Sequence, residues 1–410
     1  VETIRHRDQF SEILVISEEP HLIYSRPMLS HFLAGEIDKM RLLYRGPDFY
    51  TKHSVQPVLN DRVVAIETDG HRVHTQSGRS FSYDKLVIST GGTPIVPPLQ
   101  DRDTTGVFTF TRYDDALGIL NHLATRTVRH AVVVGGGMIG LKAADALMKR
   151  GVKISIVELA PRILSAALDE TGSRLMTNIL QDEGAAVLTG DTITRIVKEN
   201  DELVGVELKE GRPLACDMLV FGIGVRPNAG LAQEAGIQVN RGVVVDHYMC
   251  TSAPDVYAAG DVAEAYDLVV DMNRTVAIWP NAYRQGAIAG AHIVGAPRAD
   301  EGGIAMNTVE AGGVPAISIG NGNVTDDGHE FLVDLDERKR QYRRLVLKNG
   351  RLVGAILVKN IRRAGIYTGL IRNKIDVSHC REQLMNDQIS LLSLPEHYRK
   401  HVVTGQGIEV

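Results

Sequence analysis

The clearest hydrophobic pattern of the chain lies between His130 and Glu158, in the run HAVVVGGGMIGLKAADALMKRGVKISIVE. Ala131 to Val134 form a short continuous apolar run, which is typical of a strand buried in a parallel sheet. A glycine cluster, a helical segment and a second apolar run that ends at Glu158 follow. The pattern therefore predicts a strand, a tight turn, a helix and a second strand.

The glycines of this unit have the spacing G-x-G-x-x-G, at Gly135, Gly137 and Gly140. At this spacing the first glycine permits a tight turn, the second lets the backbone approach a pyrophosphate, and the third lets the helix pack closely. Glu158 can accept both ribose hydroxyls and would repel a 2′-phosphate, so NAD(H) is favoured over NADP(H). The expected NAD(H) contacts are Gly135, Gly137, Met138, Ile139, Gly140, Glu158 and Gly224.

Two pairs of segments resemble each other within the chain. Residues 78–94 (GRSFSYDKLVISTGGTP) match 211–227 (GRPLACDMLVFGIGVRP), and residues 1–18 match 141–158, with Glu18 opposite Glu158. The chain is therefore predicted to contain two related dinucleotide-binding domains. On this overlay the glycine loop of the first domain would precede Val1, so we expect a truncated amino terminus; the alternative is a degenerate first site.

Composition narrows the classes of protein that remain. The chain has 410 residues, 44% of them hydrophobic and 23% charged, with 40 glycines and a formal net charge of -5. These values exclude disorder and collagen-like repeats, and the charge indicates no nucleic-acid partner. No apolar run approaches the roughly 18 residues of a membrane span, and the charged start is unlike a signal peptide, so we expect a cytoplasmic protein. Three isolated cysteines, Cys216, Cys250 and Cys380, indicate neither a disulfide framework nor a metal site.

Several further stretches resemble one known superfamily. EEPHLIYSRPMLSHFLAGEI (18–37), STGGTP (89–94), VYAAGDVAEAYD (256–267) and IWPNAYRQGAIAGAHIVG (278–295) resemble segments of the pyridine nucleotide-disulfide oxidoreductases, which bind FAD and NAD. The first of these stretches is similar to the flavin loop of NADH:rubredoxin reductases and of nitrite reductase flavin modules. Residues 343–358 and 374–380 resemble the carboxyl-terminal domain of that branch.

The resemblance implies an α/β fold with two tandem Rossmann-like domains and a small α+β carboxyl-terminal domain. The implied FAD-binding domain consists of residues 1–112 and 247–303, interrupted by an NAD-binding domain at 113–246; the last domain spans 304–410. Within it, Asn349-Gly350 between two alternating segments predicts a hairpin, and a helix is expected over 361–373. The glycine-rich residues 312–323 lack phosphate-loop spacing and predict a strand and a turn.

The resemblance also implies hydride transfer from NADH to FAD, with electrons leaving to an external acceptor, either a rubredoxin- or ferredoxin-like carrier, a partner reductase or a small molecule. The FAD contacts that it implies are Glu18, Arg26, Pro27, Val63, Thr90, Gly91, Gly260, Asp261, Trp279 and Pro280. The alternative is a non-catalytic NAD-binding subunit or redox sensor that has lost FAD. A homodimer is compatible with the resemblance.

The segment 18–37, which is similar to the flavin loop of the family, determines which subclass of the family is expected. No cysteine precedes Cys216, and the loop has Ser25, Arg26 and Ser30, so neither a redox-active disulfide nor a single thiolate is expected. Electrons should leave directly from the flavin. Arg26 matches a basic position beside the ring and is a candidate catalytic residue; the alternative is a solvated surface arginine. His31, in the same loop, is either functional or structural.

Lys142 departs from the pattern of the resembling family, which usually has glutamate two residues after the last glycine of the NAD loop. The reversed charge predicts either support of negative charge on the flavin or an altered nicotinamide geometry. Lys142 is therefore the second candidate catalytic residue.

A basic stretch in the carboxyl-terminal third has five Lys and Arg residues in seven, from Arg338 to Arg344. Such a stretch could steer an acidic electron carrier toward the protein. The alternative is a solvated strand end beside the hairpin.

Overall fold

The computed structural model describes residues 1–386 of the chain. These residues divide into two compact units: unit 1 is Val1–Leu159 with Asp191–Gly303, and unit 2 is Ala160–Gly190 with the chain from Ile304 onward.

The strands, in chain order, are β1 (Ile13–Ile16), β2 (Val55–Val58), β3 (Val63–Glu67), β4 (Arg72–Thr75), β5 (Ser80–Ser82), β6 (Leu86–Ile88), β7 (Gly92–Pro94), β8 (Val107–Thr109), β9 (His130–Val134), β10 (Lys153–Glu158), β11 (Ala186–Thr189), β12 (Ile193–Glu199), β13 (Glu202–Leu208), β14 (Pro213–Ala215), β15 (Met218–Phe221), β16 (Val225–Pro227), β17 (Val243–Val244), β18 (Val256–Ala258), β19 (Ala263–Asp267), β20 (Met272–Arg274), β21 (Met306–Ala311), β22 (Val314–Gly320), β23 (Glu330–Asp336), β24 (Gln341–Lys348) and β25 (Arg351–Val358). The α-helices are α1 (Glu2–Arg7), α2 (Leu29–Ala34), α3 (Lys39–Leu42), α4 (Phe49–Lys52), α5 (Tyr113–Thr125), α6 (Met138–Met148), α7 (Glu170–Asp182), α8 (Gly230–Glu234), α9 (Trp279–Ile293), α10 (Ala364–Arg372) and α11 (Arg381–Met385).

The predicted strand, turn, helix and strand of residues 130–158 are confirmed as β9, α6 and β10. In unit 1, parallel strands lie in the order β10-β9-β15-β8, with Val134 opposite both Val157 and Phe221. Helix α6 packs against this sheet with its small and apolar residues, among them Ala143, Ala144 and Leu147. Because all strands run the same way, the glycine loop and Glu158 lie at one edge of the sheet.

The internal repeats of the sequence are also repeats of structure. Residues 78–94 contain β5, β6 and β7, and residues 211–227 contain β14, β15 and β16 in the same order. Helix α1 and β1 likewise correspond to α6 and β10. The last strands of the two copies, β7 and β16, pair with each other in antiparallel register, Thr93 opposite Arg226.

A second group of elements in unit 1 carries the other predicted nucleotide site. Strands β6 and β18 pair in parallel, with Ile88 opposite Ala258, and β1 pairs in parallel with β2. The antiparallel sheet β3-β4-β5 accompanies them, as does the mixed sheet β17-β19-β20, in which β17 and β19 are parallel and β19 and β20 antiparallel. Their core includes Ile88, Val256, Ala258 and, from α9, Ile288 and Ala289.

Unit 2 is built on an antiparallel sheet in the order β21-β22-β25-β24-β23, against which α7 and α10 pack. The predicted hairpin is confirmed: Asn349 and Gly350, both with positive φ, connect β24 to β25. The helix predicted over 361–373 is α10, and residues 312–323 contain β22 after a turn, as expected. The first segment of this unit, Ala160–Gly190, lies within the sequence-based NAD segment 113–246, whose boundaries stay a prediction.

The hypothesis that the basic stretch 338–344 steers an electron carrier is wrong for two of its five charges, because these two lie in the core. Arg343 and Arg344 are buried in unit 2, where they donate to the carbonyl oxygens of Leu384 and Val324. Arg340 pairs with Asp182, and Lys339 pairs with Asp336. The alternative of a solvated strand end fails for the two buried arginines as well. The sequence does not reveal the contacts of Arg340, Arg343 and Arg344, because their partners lie in other segments of the chain.

Within residues 1–386, no helix is both long enough and apolar enough to cross a membrane.

Candidate functional site

The glycine loop after β9 is shaped by close backbone contacts. A Cβ atom added to Gly140 would lie 1.8 Å from the carbonyl oxygen of Gly135, and one added to Gly135 would lie 2.6 Å from that of Gly222. Gly135 also has φ of 110°, which disfavours any side chain. At Gly137, by contrast, an added Cβ would meet no atom within 4 Å. The loop therefore packs closely on one side and is open on the other, as the approach of a pyrophosphate requires.

Glu158 closes this loop from the end of β10. One of its carboxylate oxygens accepts a hydrogen bond from the backbone N–H of Gly136 at 2.5 Å. The contact places the acid beside the first turn of α6, where Met138 and Ile139 are half-buried. The structure thus brings together the predicted NAD(H) residues of β9, α6 and β10.

Gly224 follows β15 at the same edge of the sheet. Its carbonyl oxygen accepts the N–H of Ile95 at 2.9 Å, and its φ is 139°. Ile95 and Ile223 are apolar residues that remain 42% and 41% exposed on either side of this glycine. The sequence-based prediction did not name these two isoleucines. The signal that could have found them is their place in the repeats, since Ile223 lies within 211–227 and Ile95 directly follows 78–94.

The second predicted site lies where β6 and β18 end. Because these strands are parallel neighbours, Thr90 and Gly91 lie next to Gly260 and Asp261. The pKa of Asp261 is raised by burial, and the positive charge of the nearby Arg26 offsets only part of this increase. The carboxylate makes no hydrogen bond to any of residues 1–386.

Trp279 and Pro280 form the amino terminus of α9, and Pro280 is exposed. Trp279 is half-buried and packs edge-on against Tyr44, with the ring centroids 4.5 Å apart. From the same helix, Gln285 accepts the N–H of Gly260 at 2.8 Å. This bond ties the middle of α9 to the turn that carries Asp261.

Arg26 is held by a cluster of polar groups. It donates from Nη2 to Glu19 Oε1 at 2.5 Å and from Nη1 to the carbonyl oxygen of Thr111 at 2.9 Å. The hydroxyl of Tyr24 donates to the other oxygen of Glu19 at 2.7 Å. Arg26 is therefore no merely solvated arginine, although its side chain is 48% exposed. Pro27, next in the chain, is exposed.

Two of the predicted FAD contacts, Glu18 and Val63, interact with other residues of the protein. The carboxylate of Glu18 pairs with Arg112 at 2.6 Å. Val63 begins β3 and is half-buried, where it packs against the core that includes Ile88.

Lys142 is half-buried on α6, the helix that packs against α2 of the flavin loop. Its ammonium group forms no hydrogen bond or ion pair with any residue of the described chain, and burial lowers its pKa. His31 differs from it, because its Nδ1 lies 2.5 Å from Glu36, which also pairs with Lys149. The contacts of His31 fit the structural alternative.

The cysteines have the properties of inert thiols. Cys216 and Cys380 are buried, and burial raises the pKa of Cys216 to about 12 and that of the half-buried Cys250 to about 11. Thiolate chemistry requires the opposite shift. In the part of the chain that the structure describes, no group of His, Cys, Asp and Glu residues could hold a metal ion.

The residues present fit two dinucleotides. The glycine loop has open space at Gly137 and a carboxylate at its end, which suits a pyrophosphate and a ribose. At the second site, Asp261 offers acceptor oxygens that no described group uses, and Arg26 offers a positive charge. Fold and site together define a class: an α/β protein with two dinucleotide sites in one unit.

The comparisons with known proteins identify the family. Residues 2–286 match the family described as pyridine nucleotide-disulphide oxidoreductase, and residues 306–375 match the rubredoxin NAD+ reductase C-terminal domain. The chain belongs to the pyridine nucleotide-disulphide oxidoreductase family. Membership implies FAD and NAD(H) as cofactors.

Two curated relatives and one solved structure illustrate the similarity. A nitrite reductase [NAD(P)H] of Bacillus subtilis is 31% identical over 91% of this chain and 45% of its own length. A rubredoxin-NAD(+) reductase of Pseudomonas putida is 30% identical over 69% of this chain and 73% of its own. The crystal structure of a ferredoxin reductase from Rhodopseudomonas palustris has a TM-score of 0.80 at 26% identity, covering 87% of each chain. The chain spans about half the length of several curated relatives that it matches.

Proposed function

We propose that this protein is an NADH-dependent flavoprotein oxidoreductase that passes electrons to an external acceptor without a redox-active disulfide. The observation that carries the proposal is the presence, in unit 1, of a glycine loop with Glu158 and of a second site at Asp261. Bound FAD would supply the redox chemistry, taking a hydride from NADH and releasing electrons to the acceptor. The task of the chain is to bind and orient the two nucleotides.

On the NADH side, backbone N–H groups at the start of α6 bind the pyrophosphate, and Glu158 accepts the ribose hydroxyls. Glu158 already accepts the Gly136 N–H, so its carboxylate is oriented toward the loop before the dinucleotide arrives. Ile95 and Ile223 supply exposed apolar surface beside Gly224, which suits the nicotinamide ring and excludes water from it.

On the FAD side, Asp261 accepts hydroxyls of the ribityl chain, and Thr90, Gly91 and the start of α9 line the same cleft. Arg26 directs a positive charge toward the cleft, because Glu19 and Thr111 hold two of its nitrogens. Lys142 is proposed as the second catalytic residue, since a half-buried ammonium group with no hydrogen-bonding partner among residues 1–386 can stabilise negative charge.

The segments that would contribute the sites are those indicated by the sequence: 1–112 and 247–303 for FAD, and 113–246 for NAD(H). The acceptor is proposed as a redox carrier protein or a partner reductase. The names of relatives support this kind of acceptor, since they include rubredoxin-NAD(+) reductase and an electron transfer subunit of nitrate reductase.

The test is the visible absorbance of the protein expressed from its complete coding sequence, before and after anaerobic addition of NADH and, separately, NADPH. We expect a flavin spectrum that bleaches faster with NADH. A colourless protein that cannot be reconstituted with FAD would overturn the proposal in favour of an NAD-binding subunit. Bleaching by NADPH alone would remove the role given to Glu158.

A further inference from the structure

We propose that Glu19 is a positioning residue that sets the direction of the Arg26 guanidinium group at the FAD cleft. The inference rests on the proposed function and goes beyond it, because it gives a role to a carboxylate that lies next to the predicted FAD contact Glu18 without being one of the predicted contacts. It concerns the residues that hold a cofactor-facing charge rather than the cofactor contacts themselves.

The Glu19 carboxylate is buried, with 9% of the residue exposed, and both of its oxygens are used. Oε1 accepts Arg26 Nη2 at 2.5 Å, and Oε2 accepts the Tyr24 hydroxyl at 2.7 Å. A buried carboxylate is tolerated when it is paired and hydrogen-bonded, and such bonds to a charged group are stronger than neutral ones. Glu19 is thus a fixed anion, and it attracts the guanidinium group from one side.

Tyr24 fixes the orientation of that carboxylate. Its hydroxyl oxygen accepts the backbone N–H of Tyr113 at 3.1 Å, so its own proton is directed to Glu19. Burial raises the pKa of Tyr24, which keeps the hydroxyl protonated as a donor. The Tyr24 ring also lies beneath the guanidinium group, 5.3 Å from its central carbon.

Arg26 is held at two of its nitrogens by two different segments. Nη2 binds Glu19 and Nη1 binds the carbonyl oxygen of Thr111, which is 85 residues away in the sequence. Because the guanidinium group is planar and its donors have fixed directions, two such bonds determine the plane of the group. Asp261 lies close enough for Arg26 to lower its pKa, so the positive charge acts on the FAD cleft.

Without Glu19, Arg26 would keep one anchor, at Thr111, and could turn toward solvent with its half-exposed side chain. The position of the charge, rather than its presence, would then be lost. This consequence separates a positioning role from a purely structural one, since a structural role of Glu19 would persist when Arg26 is absent.

The experiment is a double-mutant cycle of Glu19→Gln and Arg26→Gln in the protein expressed from its complete coding sequence. FAD affinity is measured by titration of the apoprotein, and the midpoint potential of the bound flavin is measured in parallel. We expect Glu19→Gln to weaken FAD binding about tenfold, since a charged hydrogen bond is worth ~1.5 kcal/mol or more. The potential should fall, because a displaced cation stabilises the reduced flavin less. In the Arg26→Gln background, Glu19→Gln should have no further effect on either quantity.

Two companion variants keep the result interpretable. Tyr24→Phe removes the hydroxyl that orients Glu19 and should shift both quantities in the same direction by a smaller amount. Glu264→Gln is the matched control: Glu264 is similarly buried, 7% exposed, and binds Asn240, Arg241 and Gly242. It should lower thermal stability while leaving FAD affinity and potential unchanged.

An FAD affinity and a potential that Glu19→Gln leaves unchanged would overturn the inference. So would an effect of Glu19→Gln that is as large without Arg26 as with it, because Glu19 would then act through the fold alone. The proposed function fails in a different way, namely when the wild-type protein binds no FAD or is not reduced by NADH.

Discussion

The two proposed nucleotide sites of unit 1 are built by different physical means. The NAD(H) loop is shaped by steric contacts between backbone atoms: a Cβ at Gly140 would approach the oxygen of Gly135 to 1.8 Å. The proposed FAD cleft is shaped by charged side chains, since Arg26 is held by Glu19 and Thr111 and is near enough to Asp261 to lower its pKa.

This difference determines which features reveal each site and which substitutions should disrupt it. The contacts of the glycine loop are between backbone atoms, both within the loop and with Gly222, so the site should fail when one glycine gains a methyl group. The second site is a cluster of charged side chains, Glu19, Arg26 and Asp261, in which Arg26 binds a residue 85 positions away. Asp261 makes no hydrogen bond within residues 1–386, so removal of the cluster should cost cofactor affinity more than stability.

Gly140→Ala should have the largest effect. The added methyl group cannot fit against Gly135, so we expect a loss of about 3 kcal/mol in the free energy of unfolding, together with loss of NADH binding. Chemical denaturation and NADH titration measure the two quantities.

Gly137→Ala is the control, because its methyl group would meet no protein atom. It should change the free energy of unfolding by no more than ~0.5 kcal/mol, yet weaken NADH binding about tenfold. Equal stability of the two variants would contradict the steric account.

Asp261→Ala should weaken FAD binding about a hundredfold, because the acceptor for the ribityl hydroxyls is lost. The stability of the apoprotein should move in the opposite direction. Burial raises the pKa of Asp261, so the folded state disfavours its charged form, and removing the carboxylate should raise the melting temperature above pH 5. Thermal unfolding of the apoprotein and FAD titration provide the comparison. A variant that loses stability and keeps FAD would place Asp261 in the fold instead of the cleft.

Glu158→Gln should weaken NADH binding about tenfold and weaken NADPH binding less. The preference of the protein for NADH over NADPH should therefore decrease. The physical reason is the loss of a charged acceptor for the ribose hydroxyls, with removal of the repulsion of a 2′-phosphate. The ratio of kcat/KM for the two dinucleotides is the measurement. An unchanged ratio would show that selectivity lies in another residue.

Lys142→Met should have a small and favourable effect on stability. Because burial lowers the pKa of Lys142, the folded protein carries the cost of a buried ammonium group at neutral pH, and methionine should stabilise it by ~1 kcal/mol. The gain should shrink as pH rises from the lowered pKa toward ~10.4, since the folded parent releases its proton first. Flavin reduction by NADH, followed by stopped flow, should slow.

The companion variant Lys142→Glu should change the reduction rate more than it changes stability. A reduction rate that neither substitution alters would remove Lys142 from the mechanism, and a constant stability difference across this pH range would remove the burial argument.

Much of unit 1 could be predicted because its signals are local. The spacing of Gly135, Gly137 and Gly140 after an apolar run predicted the loop. The similarity of residues 78–94 to 211–227 predicted matching strands in the two segments, and the last strands of the two segments, β7 and β16, pair with each other. The same reasoning failed for Arg343 and Arg344, which read as surface charges. Their partners, Leu384 and Val324, lie too far along the chain for a pattern to reveal them.

The sequence by itself determined where a βαβ turn must form, which residue there must lack a side chain, and that an acid ends the second strand. These are consequences of backbone sterics and of hydrophobic periodicity, which act over a few residues. Only the tertiary structure decided that the Glu19 carboxylate binds Arg26 and that two arginines of the basic stretch 338–344 are buried. It also decided that Asp261 and Lys142 have no hydrogen-bonding partner among the described residues. The energy of a charge depends on its neighbours in space and on its distance from water, and folding alone establishes both.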